Sequence, residues 1–121
     1  MDTKMIIAFT VYGEEDPLRL HPQFGRAPAF CFVHEETGDR LFVDNQAGME
    51  AAHGAGTRAG EIMARQQAKA LITGHIGPKA LAVLQAAQIP VYNTNLSTVE
   101  AAMAAYTAGE LTPVTSPNPM R

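Results

Sequence analysis

Three histidines set among glycines, His21, His53 and His75, and two arginines, Arg26 and Arg58, are the side chains whose types could do chemistry together. Imidazole ligates metals or donates hydrogen bonds, and a guanidinium neutralises negative charge through a planar fork of donors. They occur in three short segments: His21-Pro22-Gln23-Phe24-Gly25-Arg26, His53-Gly54-Ala55-Gly56-Thr57-Arg58, and Thr73-Gly74-His75-Ile76-Gly77-Pro78. A fourth segment, Asn93-Thr94-Asn95, has similar loop character. For His53 and His75 two readings stand side by side, a metal contact or hydrogen-bond donor to a ligand, and a loop histidine that is merely solvated or capping. For Arg26 and Arg58 the alternatives are charge neutralisation and an ordinary surface ion pair. Arg58 falls in the first turn of a predicted helix, where a cation opposes the dipole, so its placement favours a functional reason. His34, at the end of a predicted strand, reads as structural or solvated.

Other chemistries are harder to build from this chain. Cys31 is the single cysteine, so neither an intrachain disulfide nor a CxxC metal pair can form. Between Phe30 and Phe32 it reads as a buried structural thiol. Met49, close to His53, is the one methionine placed for a soft-metal contact. Asp16 and Asp44 are isolated, and no Ser-His-Asp arrangement is visible. Net charge is −3, which argues against a nucleic-acid binder. None of these patterns points to a catalytic arrangement.

The elements that must position these segments follow from periodicity. Residues 5–9 form a continuous apolar run, the pattern of a strand covered on both faces (β1). Residues 29–34 and 41–44 read as strands β2 and β3, joined by a hairpin loop in which Gly38 is free to take a positive φ. Gly54-Ala55-Gly56 leads into helix α1, with Ala55, Ala59, Ile62, Met63 and Gln66 on one face. Residues 70–73 are a buried strand β4. Gly77-Pro78 opens helix α2, whose stripe is Ala80, Leu81, Leu84 and Ala87. Residues 89–92 form an edge strand β5, since Pro90 cannot donate to a ladder. Ser97-Thr98-Val99-Glu100 matches a capping box for helix α3, which Gly109 ends. With 121 residues the chain fits one domain over residues 1–111, followed by a flexible, proline-bearing tail over 112–121.

The order β1-β2-β3-α1-β4-α2-β5-α3 implies an α/β protein with a five-stranded mixed sheet. If β2 runs against β1 and β3 runs with it, the four segments meet at one sheet edge with all three helix N-termini. Open α/β sheets bind ligands beyond the carboxyl ends of their parallel strands, and helix N-termini present unpaired N–H groups. The ligand such an edge suits is an anion, with glycines allowing close backbone approach.

Phe24-Gly25-Arg26-Ala27-Pro28, Gly54-Ala55-Gly56 and Thr73-Gly74-His75-Ile76-Gly77-Pro78-Lys79-Ala80 resemble the dinitrogenase iron-molybdenum cofactor biosynthesis family. Ile89-Pro90-Val91-Tyr92 and the later Gly109-Glu110-Leu111 extend the likeness over residues 4 to 111. The family includes nitrogenase accessory proteins and the small orange protein that holds a molybdenum–copper sulfide cluster. Many members place a histidine directly before Phe-Gly-Arg, whereas this chain has Gln23 there and His21 earlier. The resemblance implies a ribonuclease-H-like three-layer fold and non-catalytic binding of a preformed molybdenum-containing metal–sulfide cluster, Mo–Cu–S or Fe–Mo–S, held noncovalently. The neighbourhood carried over is that of Arg26, Gly56, His75 and Gly77; with His53, Arg58 and Asn95 it completes the expected cofactor-binding set, and His53 and His75 are the expected metal contacts.

Nuclease chemistry, which such a fold can host, needs several convergent carboxylates, and the first strand has none. Two other functions use the same fold: a protein-interaction or regulatory module that keeps no metal, and a binder of a phosphate-bearing small molecule. A carrier implies a protein partner for delivery, with neither nucleic acid nor membrane involved. The apolar run at residues 5–9 is too short for a signal peptide or a membrane span, so a cytoplasmic protein is expected.

Overall fold

The computed structural model describes residues 5–46, 48 and 54–114. Strand β1 is Ile6–Val11, β2 Ala29–His34 and β3 Arg40–Asp44; helix α1 is Ala55–Arg65, β4 Ala70–Thr73, α2 Pro78–Ala86, β5 Val91–Asn93 and α3 Val99–Thr107. The strands form one sheet in the order β3-β2-β1-β4-β5. β2 pairs antiparallel with β1 and β3, and β4 pairs parallel with β1 and β5. This is the expected α/β, five-stranded mixed sheet, and the carboxyl ends of β1, β3, β4 and β5 share one edge.

Alternation along the strands splits the core in two. Ala8, Phe30, Phe32 and Leu71 point to the face covered by α1 and α2. Ile7, Phe9, Val11, Cys31 and Ile72 point to the other, covered by α3 and residues Leu18 and Leu20. The result is a three-layer sandwich. Each fully buried Phe, Leu or Ile contributes roughly 1.5–3 kcal/mol relative to exposure, so both faces are needed. α1 and α2 touch closely because glycine stands at the contact: a Cβ on Gly60 falls 2.7 Å from Val83 Cγ1, and one on Gly56 falls 2.8 Å from Ala80 Cβ.

Several boundaries differ from expectation for identifiable reasons. β1 runs on to Thr10 and Val11, because the Thr10 hydroxyl finds hydrogen bonds inside the protein. The cap of α3 is Thr98 and not Ser97: Thr98 Oγ1 accepts from the Ala101 N–H at 3.1 Å, and Ser97 instead gives its carbonyl to Leu20 N–H. Ala87 is exposed beyond the end of α2. β5 starts at Val91 because Pro90 has no N–H, although its carbonyl still accepts from Leu71. Residues 112–114 do not hang free, since Pro113 bridges Tyr92 and the Val114 N–H donates to the Val91 carbonyl at 2.7 Å. Gly38 and Gly109 take the positive φ expected of them, 79° and 75°. Among the described residues no helix is long and apolar enough to cross a membrane.

Candidate functional site

The site is built where the loop after β1 docks on the end of β4. The His75 N–H donates to the Pro22 carbonyl at 2.6 Å, and the Phe24 N–H donates back to the His75 carbonyl at 3.0 Å. Gln23 therefore lies beside His75 as in a short parallel ladder. Gly74 is required at this junction, because a Cβ there would strike the Pro22 backbone. The side chain of Phe24 is buried with Phe30, which anchors the loop from below.

Two buried threonines hold the same loop from the strand ends. Thr10 Oγ1 donates to the His21 carbonyl at 2.8 Å, and the two hydroxyls of Thr10 and Thr73 lie 2.8 Å apart. Since Thr10 has one proton, and it goes to His21, Thr73 is the donor in the pair. His21 itself sits beside Tyr12, with ring centroids 4.8 Å apart, and its Nδ1 accepts from the Gln23 N–H at 3.1 Å. Burial lowers its pKa, opposed by the Gln23 carbonyl, so the neutral ring is favoured.

Above this junction lies an open groove of about 440 Å³ between the N-termini of α1 and α2. Gln23, Gly25 and Arg26 form one wall, Gly54, Ala55 and Gly56 the second, and His75 with Gly77 to Ala80 the third. The packing beneath is backbone against backbone: a Cβ on Gly25 would lie 3.1 Å from the Gly56 nitrogen. Neither helix has a side-chain cap, and neither has an acidic residue in its first turn. Among the described residues, their first amides and the positive ends of their dipoles therefore face the groove without a side-chain cap or a first-turn acid, beside the exposed cations Arg26 and Lys79. An anion is what this arrangement stabilises.

A second groove, of about 620 Å³, lies on the far side of His75, lined by Pro22, Gly74 and Asn93 to Asn95. His75 thus stands as the wall between the two.

The expected site residues divide accordingly. Arg26, Gly56, His75 and Gly77 surround the first groove, and Asn95 joins His75 at the second. Arg58 is exposed in the first turn of α1 and is not among the lining residues of either groove. His53 and Met49 lie outside the described residues; Gly54, next in the chain to His53, is on the groove wall. The third helix N-terminus, expected at the same site, does not join it, because α3 packs on the opposite face and its end is capped by Thr98. Cys31 is fully buried on that opposite face, its pKa raised to about 11 chiefly by burial. Among the described residues no three His, Cys, Asp or Glu side chains gather as a ligand set. Lys79 and Thr10 were not expected at the site, and Thr73 was expected only as part of its segment. That the two threonines meet across 63 positions is revealed only by the fold.

Comparison with known proteins decides the family. The model of the dinitrogenase iron-molybdenum cofactor family matches residues 4–109. The chain belongs to this family. The apo orange protein of Desulfovibrio gigas superposes with a TM-score of 0.89 at 37% identity, covering 95% of this chain and 97% of that one. A Thermotoga protein described as a candidate NifB protein of the DUF35 family gives a TM-score of 0.82 at 26% identity, covering 96% and 98%. The uncharacterized protein MJ0580 of Methanocaldococcus jannaschii is 32% identical over 99 residues, 79% of this chain and 83% of its own length. The iron-molybdenum cofactor family membership thus rests on nearly the whole length of the domain, and the fold is shared throughout.

Proposed function

We propose that this family member binds and carries a preformed, anionic metal–sulfide cluster containing molybdenum with iron or copper, seated in the groove between α1 and α2. The observation that carries this reading is the pair of uncapped, acid-free helix N-termini opening beside Arg26, Lys79 and His75. Backbone amides of both helices donate to sulfide, Arg26 and Lys79 balance charge, and His75 supplies a directional contact. Gly77, where a Cβ would meet nothing, leaves room for a bulky guest to reach the backbone, and Gly56 on the groove wall lets α1 close on α2 beneath it. His53 is the proposed second directional contact, Arg58 acts at longer range, and Asn95 borders the guest from beyond His75. Among the described residues one histidine stands at the groove and no group of three metal-ligating side chains gathers, which supports a cargo that carries its own sulfide over a bare metal ion. The guest is held and not transformed, and no residue is assigned a catalytic role.

Anaerobic incubation with tetrathiomolybdate, a copper or iron salt and sulfide, followed by desalting, tests the reading. A retained charge-transfer band with stoichiometric metal is expected, and its loss in His75→Ala and Arg26→Gln variants places it at the groove. The same helix ends also suit a phosphate-bearing small molecule. Strong binding of inorganic phosphate with no retained molybdenum would favour that second reading and count against the first.

A further inference from the structure

Arg26 lies on a loop, yet its backbone is gripped on both sides by one buried side chain. Asn45, 2% exposed just past the end of β3, donates from Nδ2 to the Ala27 carbonyl at 2.8 Å and to the Gly25 carbonyl at 3.3 Å. The two protons of one carboxamide thus hold the carbonyls immediately before and after Arg26. The Asn45 N–H adds a third tie, to the Pro28 carbonyl at 2.9 Å. The far end of Arg26 closes the circuit: its Nη1 contacts the Gly48 carbonyl at 3.5 Å. Gly48 has to be glycine there, because a Cβ would strike Asn45 Oδ1. That oxygen is buried without a hydrogen-bond partner among the described residues.

Retaining such an oxygen costs stability, since a buried unpaired acceptor forfeits its hydration. An apolar residue would fill the space without that cost but could not donate to two carbonyls. The carboxamide is therefore explained by what its nitrogen does. We propose that Asn45 is the positioning residue of the anion groove, fixing the backbone of Arg26 so that its guanidinium stays on the rim beside the amides of α1. The contact of Gly25 with the Gly56 nitrogen extends the effect, because shifting Gly25 also shifts the wall against α1. Asn45 does not touch the guest; it acts through Arg26. This inference rests on the groove being the anion site.

The test is a double-mutant cycle read by tetrathiomolybdate binding, with stability measured separately by urea unfolding. Asn45→Ala should weaken binding about tenfold when Arg26 is present and less than about twofold in an Arg26→Gln background, the signature of coupling between the pair. An equal loss in both backgrounds would overturn the assignment of Asn45 while leaving the groove reading standing. Full binding by Arg26→Gln would overturn both. A second readout needs no variant: in the intact chain, the Asn45 side-chain amide resonances should shift along the same titration curve as the Arg26 backbone amide. Resonances that stay fixed while Arg26 responds would overturn the assignment even if Asn45→Ala fails to fold.

Discussion

Two ends of the same sheet edge treat helix N-termini in opposite ways. On one face, α3 begins sealed: Thr98 caps it, the Leu18 carbonyl accepts from its first N–H at 2.9 Å, and Glu100 complements its dipole. On the other face, α1 and α2 begin at Gly54 and Gly77 with no side-chain cap and no acid. One loop serves both. Its early part, through Leu18, Arg19 and Leu20, closes the end of α3, and its later part, from Pro22 to Arg26, builds a wall beside the open pair. Three helices could all have been capped for about 1 kcal/mol each, so leaving two bare on the same face concentrates positive potential where a guest can use it.

This contrast can be broken at its seam. Gly74→Ala puts a methyl on the Pro22 backbone and should give the largest loss, about 3 kcal/mol in urea unfolding, because backbone cannot step aside. A variant as stable as the parent would mean that the loop is not docked as described. Thr10→Val leaves the His21 carbonyl and the Thr73 hydroxyl unpaired, and should cost about 2 kcal/mol by the same measurement.

Charge sharpens the contrast further. Lys79→Glu adds an acid to the first turn of α2, which should raise stability by about 0.5 kcal/mol while lowering tetrathiomolybdate affinity about tenfold. Thr98→Ala should do the reverse, costing about 1 kcal/mol of stability with affinity unchanged. If both substitutions moved affinity alike, the two ends would not differ in function. The smallest effect concerns His21. Its folded pKa lies below the ordinary value of 6.5, so the unfolded chain takes up the proton first on acidification. Stability from this group is complete above 6.5 and is lost as pH falls toward and through the folded value. His21→Asn should flatten the fall in melting temperature between about pH 7 and pH 5.

Much of this architecture was readable from residue order. The apolar run at residues 5–9, the Gly-Pro opening of α2 and the glycines after β3 announced strands and helix starts through local chemistry. The gathering of the Phe-Gly-Arg loop with Gly56 and His75 followed from strand direction alone. What stayed hidden depends on partners distant in sequence. Thr10 falls outside the apolar run at residues 5–9 because its hydroxyl is satisfied only by His21 and Thr73. Asn45 carries no local signal because its two acceptors lie across the fold. Ser97 and Thr98 both fit a cap by type, and the chain path chose the second by using the Ser97 carbonyl elsewhere. That only two of the three helix starts face the same side could be decided only by which layer α3 joins.

The contact of Gly25 with Gly56, and of Gly56 with Ala80, gives the cleft a seat made of main chain and one methyl. Such a seat is specified by the smallness of three residues and is indifferent to most other lettering around it. Exchanging Arg26, Lys79 or His75 would then retune which guest is preferred while the cradle keeps its shape. Enlarging Gly25 or Gly56 would instead drive a methyl into the facing wall and pry the seat apart.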